Sequence, residues 1–509
     1  YYAAFVRAPH AHPDILSIDR AAAAALPGVV GIFTAEDLAA TGVADIPTGI
    51  AGRGDLYPNR DGTAMANPPY RILARDRVRH VGEPVALVVA TRAATALAAA
   101  ENVAVEYRPR AAVLRADRAD DADAPQIWPE ARGNIGYDWA DGDTAATERA
   151  LAASRHVITV EAEIGRIIPA FMEPRAALAE FDAATGRFIL VAGCQAIHGL
   201  RDKLARTLGV TADHVRVISP DVGGAFGARS VIYPEYPALL WAARQLGHAI
   251  KWTGTRQEEF LTSTQGRDSF LRGELGLDDD GSFLALRVTG VANMGARHTG
   301  NGPYSVMRNL ARMLPGVYRI PAACLHLRGV FTNTVPVSSY RGVGRMEAIF
   351  MLERLIDRAA GETGIDRITL RRRNLIPPDA FPYTTAMSAI YDSGDYADHM
   401  DKAMTAAQWN SFAARQAAAA RRGRLRGIGL CNYIEGAGGG AGEYAAVTLG
   451  ADGIARIGAG CVDQGQGQRS SLRQIAAERL GLGEDRFQVV DSDTDLIKDG
   501  VGTNASRSM

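Results

Sequence analysis

The chain has 509 residues, so it is too long for one ordinary domain, and a hydrophobic fraction of 47% is ample for large buried cores. Lys and Arg number 56 against 57 Asp and Glu, for a formal net charge of -1, which gives no electrostatic reason to expect nucleic acid or an anionic membrane as partner. No apolar run is long enough to span a bilayer, and the four cysteines, Cys194, Cys324, Cys431 and Cys461, show none of the short spacings that hold zinc or an iron–sulfur cluster.

In chain order, residues 1–112 read as a small α/β unit. Residues 85–89 form a short apolar strand, residues 93–100 a helix of strong helix formers, and residues 103–107 a strand with alternating polarity. Residues 113–133, rich in Asp, Ala, Arg and Pro, read as a linker. Residues 134–378 mix strands and helices. An alanine- and arginine-rich helical stretch at residues 399–422 opens a further α/β region that runs to residue 509. The four cysteines read as small buried hydrophobes, which suits a reducing cytoplasm. The chain opens Tyr1-Tyr2-Ala3 without an initiator Met and closes on a small-residue stretch, so we expect it to be part of a longer sequence or of a split subunit.

One pattern occurs twice. Val191-Ala192-Gly193-Cys194-Gln195 precedes a helix with apolar residues at Ile197, Leu200, Leu204 and Leu208, stopped by Gly209; a strand and a Gly-rich loop follow. Gly458-Ala459-Gly460-Cys461 precedes a helix with Leu472, Ile475, Ala476 and Leu480, stopped by Gly481, and again a strand and a polar loop follow. The repeat implies a duplicated lobe, with a ligand between the lobes met by one loop from each.

Four loops carry candidate chemistry. Gly223-Gly224-Ala225-Phe226-Gly227 lets backbone amides approach a ligand closely, although taken alone it reads better as a tight structural turn; no Lys-Ser/Thr pair follows, which disfavours a phosphate loop. Tyr340-Arg341-Gly342-Val343-Gly344-Arg345 can present a fixed cation to an oxyanion, or be a surface turn with a solvated Arg. Asp463-Gln464-Gly465-Gln466-Gly467 offers uncharged donors and acceptors suited to a polar heterocycle. Thr503 and Ser506, after Asp493-Thr494-Asp495, could take a phosphate or form a plain polar loop.

The order of the motifs is more specific than any one of them. Tyr2-Ala3-Ala4-Phe5-Val6-Arg7-Ala8-Pro9-His10, Pro27-Gly28-Val29 and Gly82-Glu83-Pro84-Val85-Ala86 resemble the hammerhead domain of the aldehyde oxidase and xanthine dehydrogenase family. Met172-Glu173-Pro174-Arg175, Gln195, residues 223–227, residues 340–345 and Gly465-Gln466-Gly467 resemble its molybdenum-binding portion, in the family's order. The resemblance spans the chain and implies an α/β (α+β) fold: a hammerhead domain at 1–112, a linker at 113–133, a first molybdopterin-binding domain at 134–378, and a second, incomplete one at 399–509.

By that resemblance the cofactor is a molybdopterin with molybdenum, often the cytosine dinucleotide form in bacterial members. Gln195, Gly224, Ala225, Phe226 and Gly227 match residues at the metal; Gly465, Gln466 and Gly467 match a pterin loop; Thr503 and Ser506 match a phosphate-binding segment. Arg341 matches the active-site Arg, with Tyr340 and Val343 beside it lining the substrate pocket. Molybdenum is held through the pterin, with no direct protein ligand. The resemblance implies hydroxylation of an aldehyde or N-heteroaromatic compound, with electrons passing to 2Fe-2S clusters and FAD on partner subunits. Three departures qualify it. The family's catalytic Glu lies in a Gly-x-Gly-Glu stretch beyond residue 509, so it should come from a following segment or a second polypeptide; Glu173, Glu235 and Glu347 do not match it and read as structural. Ser230 stands where purine-oxidising relatives carry a carboxylate. Gly342 stands where copper-containing carbon monoxide dehydrogenases carry a Cys. A carbon monoxide dehydrogenase-like subunit of unassigned substrate and a catalytically inactive scaffold are the alternatives.

Overall fold

The computed structural model describes residues 1–50, 57–438 and 442–508. The strand Pro84–Ala90 is buried along its whole length, which only a central strand can satisfy. It runs antiparallel to Tyr2–Arg7 on one side and Val29–Thr34 on the other. The helix Ala93–Glu101 and the strand Ala104–Pro109 follow at the places expected from their patterns.

This sheet does not end with the first unit. Tyr2 pairs in parallel with Lys251 of Ile250–Thr253, and the sheet continues through Ala176–Asp182 and Arg187–Ala192 to Val215–Ile218, seven strands in all. Phe5, Leu87 and Val89 share one core with Leu190, Leu204 and Trp241. The small α/β unit of the sequence is thus fused to the next region by a common sheet and a common core.

A second sheet of five strands runs in the order Ile135–Gly142, Ala322–Phe331, Phe283–Gly295, Ser269–Leu277, His156–Ile164. The long helix Arg345–Thr363 lies on it and buries Ala348, Met351, Leu352, Leu355, Ile356 and Ala359, one helical stripe. A buried Leu or Met of this kind contributes about 1.5–3 kcal/mol relative to exposure.

Residues 113–133 correct the expectation of a linker. Val113, Ala116, Ala119, Ile127, Trp128 and Ala131 are buried in the core of the second sheet, and Trp128 Nε1 donates to Ala296 O at 2.5 Å. The polar composition of the stretch concealed apolar residues at irregular spacing, which no helix or strand period reveals.

The repeated pattern is real. Arg187–Ala192, the helix Ile197–Leu208 and Val215–Ile218 form a parallel strand–helix–strand unit; Ala455–Ala459, the helix Gln468–Leu480 and Phe487–Val490 form another. Gly209 and Gly481 end the two helices in left-handed backbone, at φ +69 and +66. The units differ in burial. Leu200, Leu204 and Leu208 are buried, whereas Ile475 and Leu480 are exposed, because the second unit rests on a sheet of only three strands, whose third is Ala445–Leu449. Cys194, Cys324 and Cys461 are buried as expected, but Cys431 is exposed. No helix of the described residues is long and apolar enough to cross a membrane.

Candidate active site

The two equivalent units meet along the ends of their second strands. Ser219 N–H donates to Ser492 O at 2.8 Å and Thr494 N–H to Val217 O at 3.1 Å, while Arg216 pairs with Asp493 at 2.6 Å. This junction brings the loop after each unit to one cleft of ≈ 460 Å³, lined by Glu173, Asp221, Val222 and Gly223 from the first region and Asp463, Gly465 and Gly467 from the second.

Gln195 sits at the centre of this arrangement and is buried. Its Oε1 accepts from Gly227 N–H at 2.8 Å, its Nε2 donates to Thr503 O at 2.9 Å, and its backbone O accepts from Thr503 N–H at 2.9 Å. One carboxamide therefore ties the Gly223–Gly227 loop to the 502–506 segment, and Nε2 keeps a second N–H free of any partner among the described residues. Gly227 stands at φ +102, and a Cβ there would lie 2.7 Å from Ser339 O, so only glycine lets this loop approach the next one.

That next loop is the one carrying Arg341. Its N–H donates to Phe226 O at 2.9 Å, and its exposed guanidinium has no partner among the described residues. Gly342, Val343 and Gly344 follow in left-handed backbone. Val343 packs against the core of the second sheet, and Asn309 Nδ2 donates to its carbonyl at 3.0 Å, so its side chain supports the loop from behind. Tyr340 is half-buried, with Arg267 over its ring. Phe226, at φ +52 and 46% exposed, lies parallel to the buried Phe171 with ring centroids 6.2 Å apart.

In the second unit, Asp463 accepts from the amides of Gly465 at 3.0 Å and Arg469 at 3.3 Å, which caps the following helix. Gln466, expected to face the ligand, spends its Oε1 on Gln464 N–H at 2.7 Å and is exposed; Nε2 of Gln464 is buried without a partner. Thr503 likewise departs from expectation. Its hydroxyl is engaged with both the N–H and the C=O of Val462, at 2.9 and 2.7 Å, so it is spent within the second unit instead of being free. Ser506 is exposed at φ +55 and has no hydrogen-bond partner among the described residues. Gly224 and Ala225 lie in the first loop, Ala225 buried.

The sequence did not single out the ion pairs at and behind the cleft. Glu173 accepts from Gly223 N–H and from Arg229 Nη1, both at 2.7 Å. Asp221 pairs with Arg469 across the two units at 2.8 Å. Arg175, fully buried, pairs with Glu235 at 3.2 Å and Glu259 at 2.9 Å and lies over the Tyr233 ring; Glu235 also holds Arg7 of the first unit, at 2.8 Å. Burial works to raise the pKa of Glu235, yet the Arg175 and Arg7 guanidiniums hold it below the usual range. Glu347, in the first turn of the helix Arg345–Thr363, is buried 3.9 Å from Arg267, and burial raises its pKa. Among the described residues no group of three or more His, Cys, Asp or Glu side chains is arranged to hold a metal ion.

Residues 1–111 match the aldehyde oxidase and xanthine dehydrogenase a/b hammerhead domain, and residues 127–375 and 402–509 match two molybdopterin cofactor-binding domains. The chain is similar to the carbon monoxide dehydrogenase large chain of Hydrogenophaga pseudoflava, at 33% identity over 99% of this chain and 64% of the relative. It is similar to subunit gamma of the 6-hydroxypseudooxynicotine dehydrogenase complex of Paenarthrobacter nicotinovorans, at 34% identity over 99% of this chain and 62% of the relative. The crystal structure of quinoline 2-oxidoreductase from Pseudomonas putida 86 superposes with a TM-score of 0.90 at 29% identity, covering 99% of this chain and 64% of that one. The chain thus spans less than two thirds of the length of these relatives.

Proposed function

Because this chain belongs to the aldehyde oxidase and xanthine dehydrogenase family of molybdopterin-binding proteins, we propose that it is the cofactor-bearing part of a cytoplasmic molybdenum hydroxylase. The observation that carries this reading is Gln195: one buried carboxamide joins the loops of both lobes and keeps a free donor.

The residues fit a molybdopterin. Gly223 and Gly465 line the cleft without side chains to block a flat heterocycle, and the buried Nε2 of Gln464 lacks a partner, as suits a ring rich in acceptors. Gln195, the 223–227 loop and residues 464–467 would hold the cofactor, with Ser506 beside its phosphate. The cytosine dinucleotide form is the one we propose. The bound group supplies two-electron redox chemistry at molybdenum.

The chain's own residues orient the substrate. Arg341 offers a planar cation to negative charge growing on a carbonyl oxygen or a ring nitrogen, and the exposed ring of Phe226 offers an apolar wall. Each carboxylate lining the cleft is spent: Glu173 on Arg229, Asp221 on Arg469, Asp463 on backbone amides. Glu235 and Glu347 are buried beside Arg side chains. On the family resemblance, the proton acceptor of the reaction would be supplied by another segment or polypeptide. Electrons would leave to 2Fe-2S and FAD partner subunits.

An aldehyde or N-heteroaromatic substrate fits best. Ser230 turns its hydroxyl to Gly227 O at 2.5 Å and has no charge with which to grip a purine. Copper-dependent carbon monoxide oxidation is disfavoured, because Gly342 has no thiol; it stands at φ +92, where a Cβ would lie 2.6 Å from Met346 Cγ. A non-catalytic cofactor-binding scaffold is the second reading, favoured by the spent carboxylates. Purification of the native complex, with assay of molybdenum, pterin nucleotide, iron and flavin and a screen of aldehydes and N-heteroaromatics, tests both. Molybdenum with oxidation of a compound from either class supports the hydroxylase; molybdenum without oxidation favours the scaffold; absence of molybdenum rejects both.

A further inference from the structure

Arg267 and Asp268 stand in left-handed backbone, at φ +67 and +75, just ahead of the strand Ser269–Leu277. Neither is glycine, and such conformations persist only where the surroundings fix them. Asp268 is fixed: its carboxylate accepts from Arg166 at 2.8 Å and from Asn293 at 2.9 Å. The kink turns Arg267 away from the strand and toward the loop that carries Arg341.

There the Arg267 guanidinium, with a side chain only 8% exposed, spans two successive carbonyls. Nη1 donates to Tyr340 O at 2.9 Å and Nη2 to Arg341 O at 2.5 Å, and the group lies over the Tyr340 ring. Its nearest carboxylate, Glu347, is 3.9 Å away, and neither oxygen of Glu347 makes a hydrogen bond. Burying a cation is costly unless it is well paired, and here the closest partners are the two carbonyls. On its other side the Arg341 peptide is held through its N–H to Phe226 O. The backbone of Arg341 is thus pinned on both faces while its guanidinium is left without a partner, an arrangement that a merely solvated surface Arg does not need.

We propose that Arg267 is the positioning residue for Arg341: its planar fork, locked across the carbonyls of Tyr340 and Arg341, sets the direction in which Arg341 presents its charge. This rests on the reading of Arg341 as the substrate-facing cation. Lysine cannot replace the fork, because one ammonium cannot hold two carbonyls in one plane.

The test uses the complete molybdenum-loaded complex with Arg267→Lys, Arg341→Lys and the double variant. Amide hydrogen exchange over residues 338–345 needs no substrate. We expect Arg267→Lys to raise it by about 10-fold or more while exchange over residues 455–459 and molybdenum content stay as in the parent. With quinoline and benzaldehyde as probes, Arg267→Lys should lower kcat by on the order of 10²-fold with little change in KM, as misplacement of one group does. The double variant should be no slower than Arg341→Lys alone. Unchanged exchange in Arg267→Lys overturns the proposal, as does a double variant whose losses multiply. Impaired Arg341→Lys with unimpaired Arg267→Lys overturns the proposal alone; full activity of Arg341→Lys overturns the reading on which it rests. Should Arg267→Lys not fold, Arg267→Gln, which keeps one donor and no charge, is carried through the same measurements with the same outcomes decisive.

Discussion

Gln195 and Thr503 stand 308 positions apart and exchange two hydrogen bonds of 2.9 Å: the Gln195 carboxamide donates to the Thr503 carbonyl, and the Thr503 amide donates to the Gln195 carbonyl. Thr503 in turn holds Val462 of the second unit through its hydroxyl, and Gln195 holds Gly227 of the first loop. The cleft is assembled by this pair, which leads to a first expectation.

Gln195→Leu keeps the volume but leaves the Gly227 N–H and the Thr503 C=O without their partner. Full burial of a group so stranded costs about 1–3 kcal/mol, and these two are half-buried, so the cost is smaller. We expect a lower Tm and a loss of most of the molybdenum, read by calorimetry and metal analysis. Retention of full metal content by this variant would remove Gln195 from the site.

Arg341→Lys keeps the charge and loses the fork. Removal of one aligned donor lowers kcat by ~10²–10³-fold, and molybdenum content should be unchanged because no cofactor-facing loop depends on the Arg341 side chain. Turnover of the best substrate from the screen, at matched metal content, decides the point.

The chain by itself should not turn over substrate even when loaded with metal, since its cleft carboxylates are engaged with Arg229, Arg469 and backbone amides. General-base help is worth about 10²–10⁴-fold. Oxidation by the purified chain alone, assayed with an artificial electron acceptor, would point to a base among these residues and refute this account.

Glu83 links acid stability to the junction of the first unit with the rest. Burial alone would raise its pKa, but Arg297, His80 and Arg79 hold it down at about 2 against an ordinary 4.5. Its folded pKa lies below its unfolded one, so its stabilisation is complete above pH 4.5 and is lost as the pH falls toward 2. Glu83→Gln should destabilise the protein at neutral pH and flatten the pH dependence between 4.5 and 2, as followed by denaturant unfolding. An unaltered slope in that window would show that Glu83 titrates alike in the folded and unfolded states and would refute this account.

The local elements were legible in the sequence. The stripe at Ile197, Leu200, Leu204 and Leu208 and the stop at Gly209 are set by helical period and left-handed backbone, which involve neighbours a few residues apart. The duplicated unit was legible for the same reason, as was the order of the glycine loops, and the order of motifs was enough to name the family. Tertiary structure decided the rest. Nothing local announces that Tyr2 pairs with Lys251, that Val113, Ile127 and Trp128 of residues 113–133 enter the core, or that Nε2 of Gln464 is buried without a partner. The clamp of Arg267 on the Arg341 loop is of this kind too, since its two ends lie 73 and 74 residues apart. A hydrogen bond between distant segments leaves no period and no composition in the chain; it exists only once packing has fixed both backbones within about 3 Å.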